Sequence, residues 1–145
     1  MPSSYKEKIL PYNSLDLFKI VIDIEKYPEF IPWCSASRII QNNNDLIIAD
    51  LVIRYRNFGD TFRSFVNYDK KNLIIEVKYS EGPLENLNTL WKFDTINRNK
   101  TLLKFQIDFE FKFMPFTKII ESFYVNLEDK MILAFEERAN NILNN

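Results

Sequence analysis

Apolar and polar residues alternate along the chain with two different periods, which predict its main elements. From Leu103 to Phe113 every second residue is apolar, and four of those six residues are phenylalanine. A period of two is typical of a strand with one buried face. After Pro115 apolar residues recur at the spacing of a helix, which we expect to continue almost to the C-terminus. The apolar stripe of this helix comprises Ile120, Phe123, Leu127, Met131, Ala134, Phe135 and Ile142.

Shorter elements precede this strand and helix. Residues 5–10 predict a first strand, and Ser14 is the expected N-cap of a helix over residues 15–25. A short helical turn is expected between Pro28 and Pro32. Alternating segments separated by turns then predict strands over residues 37–41, 46–55, 61–68, 73–79 and 87–93.

The order of these elements indicates the fold class. About seven strands joined by short turns favour an antiparallel meander. The order β-α-α-β6-α matches an α+β helix-grip fold, in which a curved sheet wraps around a long C-terminal helix. Because the chain contains no linker, repeat or low-complexity segment, we expect one domain over residues 1–145. Function then depends on whether side chains fill the space between sheet and helix or leave it for a ligand.

Composition narrows the classes of partner. Only two glycines are present, which excludes a glycine-rich phosphate loop. The net charge of −1 provides no global cationic field, so we expect no DNA partner. A local basic patch that binds ribosomal RNA stays open as an alternative to ordinary surface charge. Its candidates are Arg54, Arg56, Arg63, Lys70, Lys71 and Lys78.

Cysteine usage and hydropathy indicate the compartment. The single cysteine, Cys34, excludes an internal disulfide and fits a reducing compartment. No apolar run is long enough to span a membrane, and the N-terminus lacks a signal-peptide core. We therefore expect a cytoplasmic protein, or one that is peripheral to the inner membrane.

Several short motifs carry a resemblance to a known family. They are residues 27–38 (YPEFIPWCSASR), Leu10-Pro11-Tyr12, Ala49-Asp50-Leu51, Gly82-Pro83-Leu84, Trp91-Lys92-Phe93 and residues 134–139 (AFEERA). Together they resemble the coenzyme Q-binding family of START-like domains, which are helix-grip proteins of the polyketide cyclase/dehydrase type with a START/Bet v 1-like fold. In bacteria this family overlaps with proteins called ribosome-association toxin RatA.

The resemblance implies two functions. The first is non-catalytic binding of a polyprenyl quinone, such as ubiquinone, in an apolar cavity, by a carrier or chaperone that supports respiration. No cofactor is expected beside this ligand. The second is binding to the large ribosomal subunit to block subunit joining. For the first function the expected ligand-binding residues are Trp33, Trp91, Phe105, Ile107, Phe109, Phe123, Leu127 and Met131.

Each of these residues also has a purely structural interpretation. Any single aromatic residue of the long strand can be ordinary core, and Trp33 can plug the start of the sheet. Cys34 is expected to be a buried structural thiol. Two apolar loop segments, residues 57–59 and 113–116, are either folded inward or form a rim that contacts a bilayer.

Catalysis is the weakest of the alternatives. The chain contains no histidine. Glu81 and Glu85 flank a turn, and Asp50 and Glu76 fall on the less apolar faces of their strands. None of these carboxylates is paired with a nucleophile, and no metal-ligand spacing is present. We therefore expect no enzymatic activity.

Overall fold

The computed structural model describes residues 3–56, 58–80, 84–111 and 125–143. Within these ranges the chain forms seven strands, two α-helices and one 3-10 helix. The strands are β1 Ser3–Leu10, β2 Cys34–Asn43, β3 Leu46–Tyr55, β4 Phe58–Asp69, β5 Ile74–Ser80, β6 Leu84–Asn97 and β7 Lys100–Phe111. The helical segments are α1 Ser14–Ile22, the 3-10 helix Ile24–Glu29 and α2 Leu127–Leu143.

The strands form one antiparallel sheet in the order β1-β7-β6-β5-β4-β3-β2. Strands β2 to β7 follow each other as a meander, and β1 pairs with β7. This arrangement, with helices on one face and a long C-terminal helix, confirms the predicted helix-grip fold. The 3-10 helix begins before the segment in which the helical turn was expected.

One face of the sheet is apolar because alternate residues of a strand point to the same side. In β7 this face carries Leu103, Phe105 and Ile107, which are buried as the alternation predicted. Phe109 is partly buried and packs against the same core. Helix α2 covers this face with Leu127, Ile132, Ala134, Phe135 and Ala139.

The start of α1 differs from the sequence-based expectation. Asn13, not Ser14, is the N-cap, and its side chain accepts hydrogen bonds from the backbone N–H groups of Leu15 and Asp16. Ser14 is the first helical residue and is buried. Both residue types are good caps, and the tertiary contacts of Ser14 decide between them.

Those contacts form a chain of hydrogen bonds that joins α1 to the β6–β7 hairpin. The Thr95 hydroxyl donates to Ser14 Oγ over 2.8 Å. Ser14 Oγ lies 2.8 Å from Thr101 Oγ1, and the Thr101 hydroxyl donates to the backbone carbonyl of Tyr12 over 2.8 Å. Because the Thr101 hydrogen is used at Tyr12, Ser14 is the donor to Thr101. Each hydroxyl therefore has a partner, and such chains polarise one another.

Helix α2 is shorter than the periodicity suggested. It begins at Leu127, after Asn126, whose φ is +54°. A left-handed residue cannot continue an α-helix, so the prediction of one unbroken helix from Pro115 is wrong at Asn126. The first part of that prediction lies in residues 112–124, outside the described ranges. Ile142 is 44% exposed, against expectation. No described helix has both the length and the apolar content needed to cross a membrane.

The two edge strands of the sheet are each modified. Strand β2 has register shifts against β3 between Cys34 and Ala36 and between Ile39 and Gln41. Strand β1 is tied to α2 by ion pairs, with the Lys8 Nζ 2.6 Å from Glu136 Oε1 and the Lys6 Nζ 3.7 Å from an Asp129 oxygen. The first shift lies where Cys34 turns into the core.

Phe135 is the centre of the contact between α2 and the sheet. Its ring centroid lies 4.9 Å from that of Trp91, 5.3 Å from that of Tyr27 and 5.2 Å from that of Phe30. Trp91 in turn lies 4.4 Å from Phe105. These rings meet edge to face or tilted, the geometries that aromatic pairs prefer. One side chain thus joins the helix, the sheet and the 3-10 helix.

We predict that Phe135→Ala lowers the free energy of unfolding by about 3–5 kcal/mol, because it removes this buried ring and leaves a cavity. Leu133→Ala is the matched control, since Leu133 lies on the same helix and is 53% exposed. That change should cost less than about 0.5 kcal/mol. Urea denaturation followed by circular dichroism measures both. Equal losses in the two variants would contradict the central position of Phe135.

Candidate functional site

An apolar cavity lies between the inner face of the sheet and the first turns of α2. Its volume is about 50 Å³. Residues from β2 to β7, from the segment that follows α1, and from α2 surround it. They are Tyr27, Ile31, Trp33, Cys34, Leu51, Ile53, Phe62, Tyr79, Leu87, Thr89, Ile107, Leu127 and Met131.

Four of the residues expected from the sequence line this cavity. Trp33 and Ile107 lie on the sheet side, and Leu127 and Met131 lie on the helix side. Leu127 and Met131 are four residues apart in α2 and therefore share one face of the helix. The four come from three distant parts of the chain and are brought together only by the fold.

Two further expected residues lie beside the cavity. Trp91 and Phe105 contact each other, and Trp91 packs against Phe135. Trp91 and Phe135 line a second void, of about 10 Å³, on the side of α1. We call Trp91, Phe105 and Phe135 the aromatic partition, because these rings lie between the smaller void and the larger cavity.

The remaining expectations fall partly outside the described residues. Phe109 is partly buried against the core. Phe123 lies in residues 112–124, so the structure describes no position for it. The same holds for the loop at residues 113–116, for Asn57 and for the side chain of Phe58.

Several lining residues were not expected from the sequence. Leu51 and Ile53 of β3 and Leu87 of β6 line the cavity. Their alternation marked them as inward-facing, but not as cavity-lining. Tyr79 and Thr89 also line the cavity. Thr89 could have been identified from the sequence, because it is a polar residue between Leu87 and Trp91 on the apolar face of β6.

Among the described lining residues, three titratable groups face the cavity, and burial keeps all three neutral. Burial raises the pKa of the Cys34 thiol from its ordinary value of 9.0 to about 11. Burial also raises the pKa of Tyr27 and of Tyr79 well above 10.0. The Tyr27 hydroxyl donates to the backbone carbonyl of Val21, and the Cys34 thiol faces the carbonyl of Ala36 at 3.5 Å. The polar groups that the structure describes in the lining are therefore uncharged at neutral pH.

Thr89 differs from the other buried polar residues. Its side chain is 2% exposed, and Thr89 Oγ1 has no hydrogen-bond partner among the described residues. Leaving a buried hydroxyl unpaired costs about 1–3 kcal/mol. The fold therefore retains a hydroxyl that lowers its stability at a position that lines the cavity.

Size and polarity limit what the cavity can accept. Small-molecule sites are typically roughly 300–1,000 Å³, so a ring-sized ligand requires the lining side chains to move apart. Met131 is unbranched and adapts its shape readily, which makes it a suitable moving part. Because the polar groups of the described lining residues are neutral, the site suits an uncharged apolar molecule.

The carboxylates considered for catalysis lie elsewhere. Asp50 lies on the outer face of β3, where Arg63 donates to its two oxygens over 2.9 Å and 3.1 Å. The Arg63 hydrogen bonds lower the pKa of Asp50. Glu76 is exposed on β5, while Glu81 and the side chain of Glu85 fall outside the described residues. Within the described ranges no group of three or more His, Cys, Asp or Glu residues could hold a metal ion.

Comparison with known protein families gives one match that covers most of this fold. The polyketide cyclase/dehydrase and lipid transport family matches residues 10–136. The chain belongs to this family. The match includes β2 to β7, both sides of the cavity and the aromatic partition. The family description includes enzymes and lipid transport proteins, so membership alone does not assign an activity.

Individual relatives agree with this family assignment. The ribosome association toxin RatA of Rickettsia prowazekii is 38% identical over 146 residues, which cover 99% of each protein. The mitochondrial coenzyme Q-binding protein COQ10 homolog B of Xenopus laevis is 23% identical, over 94% of this chain and 57% of that one. Among solved structures, the Zhui aromatase/cyclase of a Streptomyces species superposes with a TM-score of 0.87 at 13% identity, over 98% of this chain and 95% of that one. This last likeness shows the fold alone.

The raised pKa of Cys34 predicts slow alkylation. At pH 8 the thiolate fraction of Cys34 should be about 100-fold below that of an exposed cysteine, and it should rise about tenfold per pH unit up to pH 11. Iodoacetamide labelling followed by mass spectrometry measures the rate at the single cysteine. In the matched control, Cys34→Ala combined with Ser35→Cys, the thiol moves to an exposed neighbouring position and should react at the ordinary rate. Equal rates for both positions would show that the cavity does not shield Cys34.

Proposed function

We propose that this protein binds a polyprenyl quinone, or a similar neutral isoprenoid lipid, in the cavity and acts as its carrier or chaperone. The apolar cavity between sheet and α2, in which the described lining residues carry no charged group, is the observation that carries the proposal. The family description, which includes lipid transport, and the coenzyme Q-binding relative support it. The binding unit is the whole domain, residues 1–145.

Binding in this proposal includes expansion of the cavity. The ring of the quinone displaces Leu127 and Met131 outward, and the isoprenoid tail leaves along α2. Burial of roughly 300 Å² of apolar ligand surface contributes about 7 kcal/mol at ~25 cal/mol/Å². Association costs several kcal/mol, and the side-chain movement adds to this cost. The remainder is well below the roughly 8 kcal/mol of micromolar binding, so the isoprenoid tail must bury further apolar surface to reach that affinity.

The proposed role is non-catalytic. Proton transfer to a bound ligand needs an acid or base whose pKa lies near the working pH. The titratable groups that face the cavity have pKa values moved away from neutrality, to about 11 for Cys34. Asp50 is held by Arg63 on the outer face of the sheet. These features favour a binding protein over a cyclase.

Filling the cavity should abolish lipid binding. In Met131→Trp the indole ring occupies the space beneath α2, and we expect the affinity for a short-chain ubiquinone analogue to fall by about tenfold or more. In the matched control, Leu133→Trp, the same ring is added on the exposed side of the helix, and affinity should be unchanged. Equilibrium dialysis with quinone absorbance measures both.

Folding of the two variants is checked by circular dichroism and thermal unfolding. A folded Met131→Trp variant with wild-type affinity would contradict the cavity as the binding site. Absence of quinone binding in the wild-type protein, together with absence of any lipid in protein extracted from its own host, would contradict the proposed function itself.

A second candidate function is association with the large ribosomal subunit. The RatA relative, at 38% identity over the full length of both chains, favours it. This activity uses the outer surface of the protein, so it is physically compatible with a lipid in the cavity. It needs exposed cations that can contact RNA phosphates and stack on bases.

Some of the candidate basic residues fit this requirement better than others. Arg54 and Arg56 are exposed at the end of β3. The Arg56 guanidinium lies 5.2 Å from the centroid of the Tyr55 ring, and Lys130 Nζ lies 5.7 Å from the same centroid. Arg63 is less suitable because Asp50 neutralises its charge. We call Arg54, Arg56 and Lys130 the basic cluster.

Charge reversal of the two arginines of the basic cluster tests the second function. Arg54→Glu combined with Arg56→Glu should weaken co-sedimentation with purified large subunits by about tenfold, because cationic contacts to phosphate are lost. In the matched control, Lys70→Glu combined with Lys71→Glu, the same charge change falls in the β4–β5 turn and should leave sedimentation unchanged. Equal sedimentation of both double variants and the wild type would exclude Arg54 and Arg56 as the ribosomal contact.

A further inference from the structure

The buried hydroxyl groups of the described residues divide into satisfied and unsatisfied members. Four polar residues are buried: Ser14, Ser64, Thr89 and Thr101. Ser14 and Thr101 belong to the hydrogen-bond chain beside α1. The Ser64 hydroxyl donates to the backbone carbonyl of Ala49 over 3.0 Å. Thr89 Oγ1 has no partner within the described part of the chain, and Thr89 is the one of the four that lines the cavity.

The side chains directly opposite Thr89 in the sheet offer its hydroxyl no partner. Thr89 lies opposite Val77 of β5 and Ile107 of β7. Both neighbours are apolar and offer no side-chain acceptor or donor. A hydroxyl placed among such neighbours on an inward face is costly unless it serves a partner that enters the cavity.

A second neutral donor lies near Thr89. Tyr79 is two residues beyond Val77 on β5, so it is the diagonal neighbour of Thr89 on the same face of the sheet. Tyr79 also lines the cavity, and its ring packs edge to face on Phe62 at 6.3 Å. Burial keeps the pKa of its phenol above 10.0, so the group remains a hydrogen-bond donor at neutral pH.

We propose that Thr89, assisted by Tyr79, is the polar subsite of the cavity and donates a hydrogen bond to a carbonyl oxygen of the bound lipid. The inference rests on the proposed lipid-binding function and adds the orientation of the ligand. The carbonyl-bearing ring is innermost, between β5, β6 and β7, and the apolar tail extends past Leu127 and Met131. A fatty acid or phospholipid is disfavoured, because the lining residues within the described ranges provide no cation for its charge.

The subsite is tested with two probes that share one tail. One is a dimethoxybenzoquinone that carries two isoprene units, and the other carries the same tail on an unsubstituted benzene ring. Thr89→Val removes the hydroxyl but keeps the shape of the side chain. We expect it to weaken quinone binding by about five- to tenfold and to leave the affinity for the benzene probe unchanged.

Two further variants serve as controls. Thr89→Ser keeps the hydroxyl and should bind the quinone within about twofold of the wild type. Thr101→Val removes an equally buried hydroxyl that has partners, so it should lower thermal stability and leave both affinities unchanged. Thr89→Val should be at least as stable as the wild type, because the hydroxyl that it removes has no partner to lose.

The possible outcomes separate this inference from the function on which it rests. If the wild-type protein binds neither probe, the lipid-binding function fails and the subsite fails with it. If the wild type binds both probes and Thr89→Val changes neither affinity, or lowers both equally, lipid binding stands and the subsite is overturned. A loss of stability in Thr89→Val comparable to that in Thr101→Val would also overturn it, because the hydroxyl would then be structural.

Discussion

The packing of Phe135 on Trp91 determines how α2 sits on the sheet. With 4.9 Å between ring centroids, helix and sheet are held apart by the thickness of two aromatic side chains. On the α1 side of this contact, Ile132 and Phe135 of α2 pack against α1 and the sheet, and the remaining void is about 10 Å³. On the other side, Leu127 and Met131 bridge the gap incompletely, and the void is about 50 Å³. The same contact that stabilises the domain therefore also creates its cavity.

Hydrogen bonding follows the same division of the interior. In the packed half, hydroxyl groups bond to one another and to the backbone, and they fix α1 against the β6–β7 hairpin. Around the larger cavity, burial keeps the phenols of Tyr27 and Tyr79 and the thiol of Cys34 neutral. The Thr89 hydroxyl there has no partner among the described residues. Natural cores pair nearly all of their buried polar atoms, so an exception beside a void points to a role in binding. The paired hydroxyl groups and the unpaired one thus lie in different parts of one core.

The elements were predictable from the sequence, whereas the shape of the interior was not. The alternation in residues 103–113 identified β7 and its buried face, because strand geometry imposes a period of two locally. Neighbouring residues on that face nevertheless have different positions. Phe105 packs in the aromatic partition and Ile107 lines the cavity, and the difference depends on where α2 places Phe135 and Met131. The N-cap at Asn13 and the break at Asn126 were missed for a similar reason, since tertiary contacts and backbone conformation decide between residues of equal propensity.

The edges of the sheet have a consequence for solubility under stress. An open sheet offers unpaired backbone groups at its first and last strands, where a second copy of the chain can add and start a fibril. Here β2 carries two bulges, which twist its edge away from a flat template. The lysines of β1 are engaged with carboxylates of α2, which lies along that edge. A protein whose interior contains a cavity can open in part. The bulges of β2 and the ion pairs of β1 then disfavour backbone pairing between the edge strands of two copies.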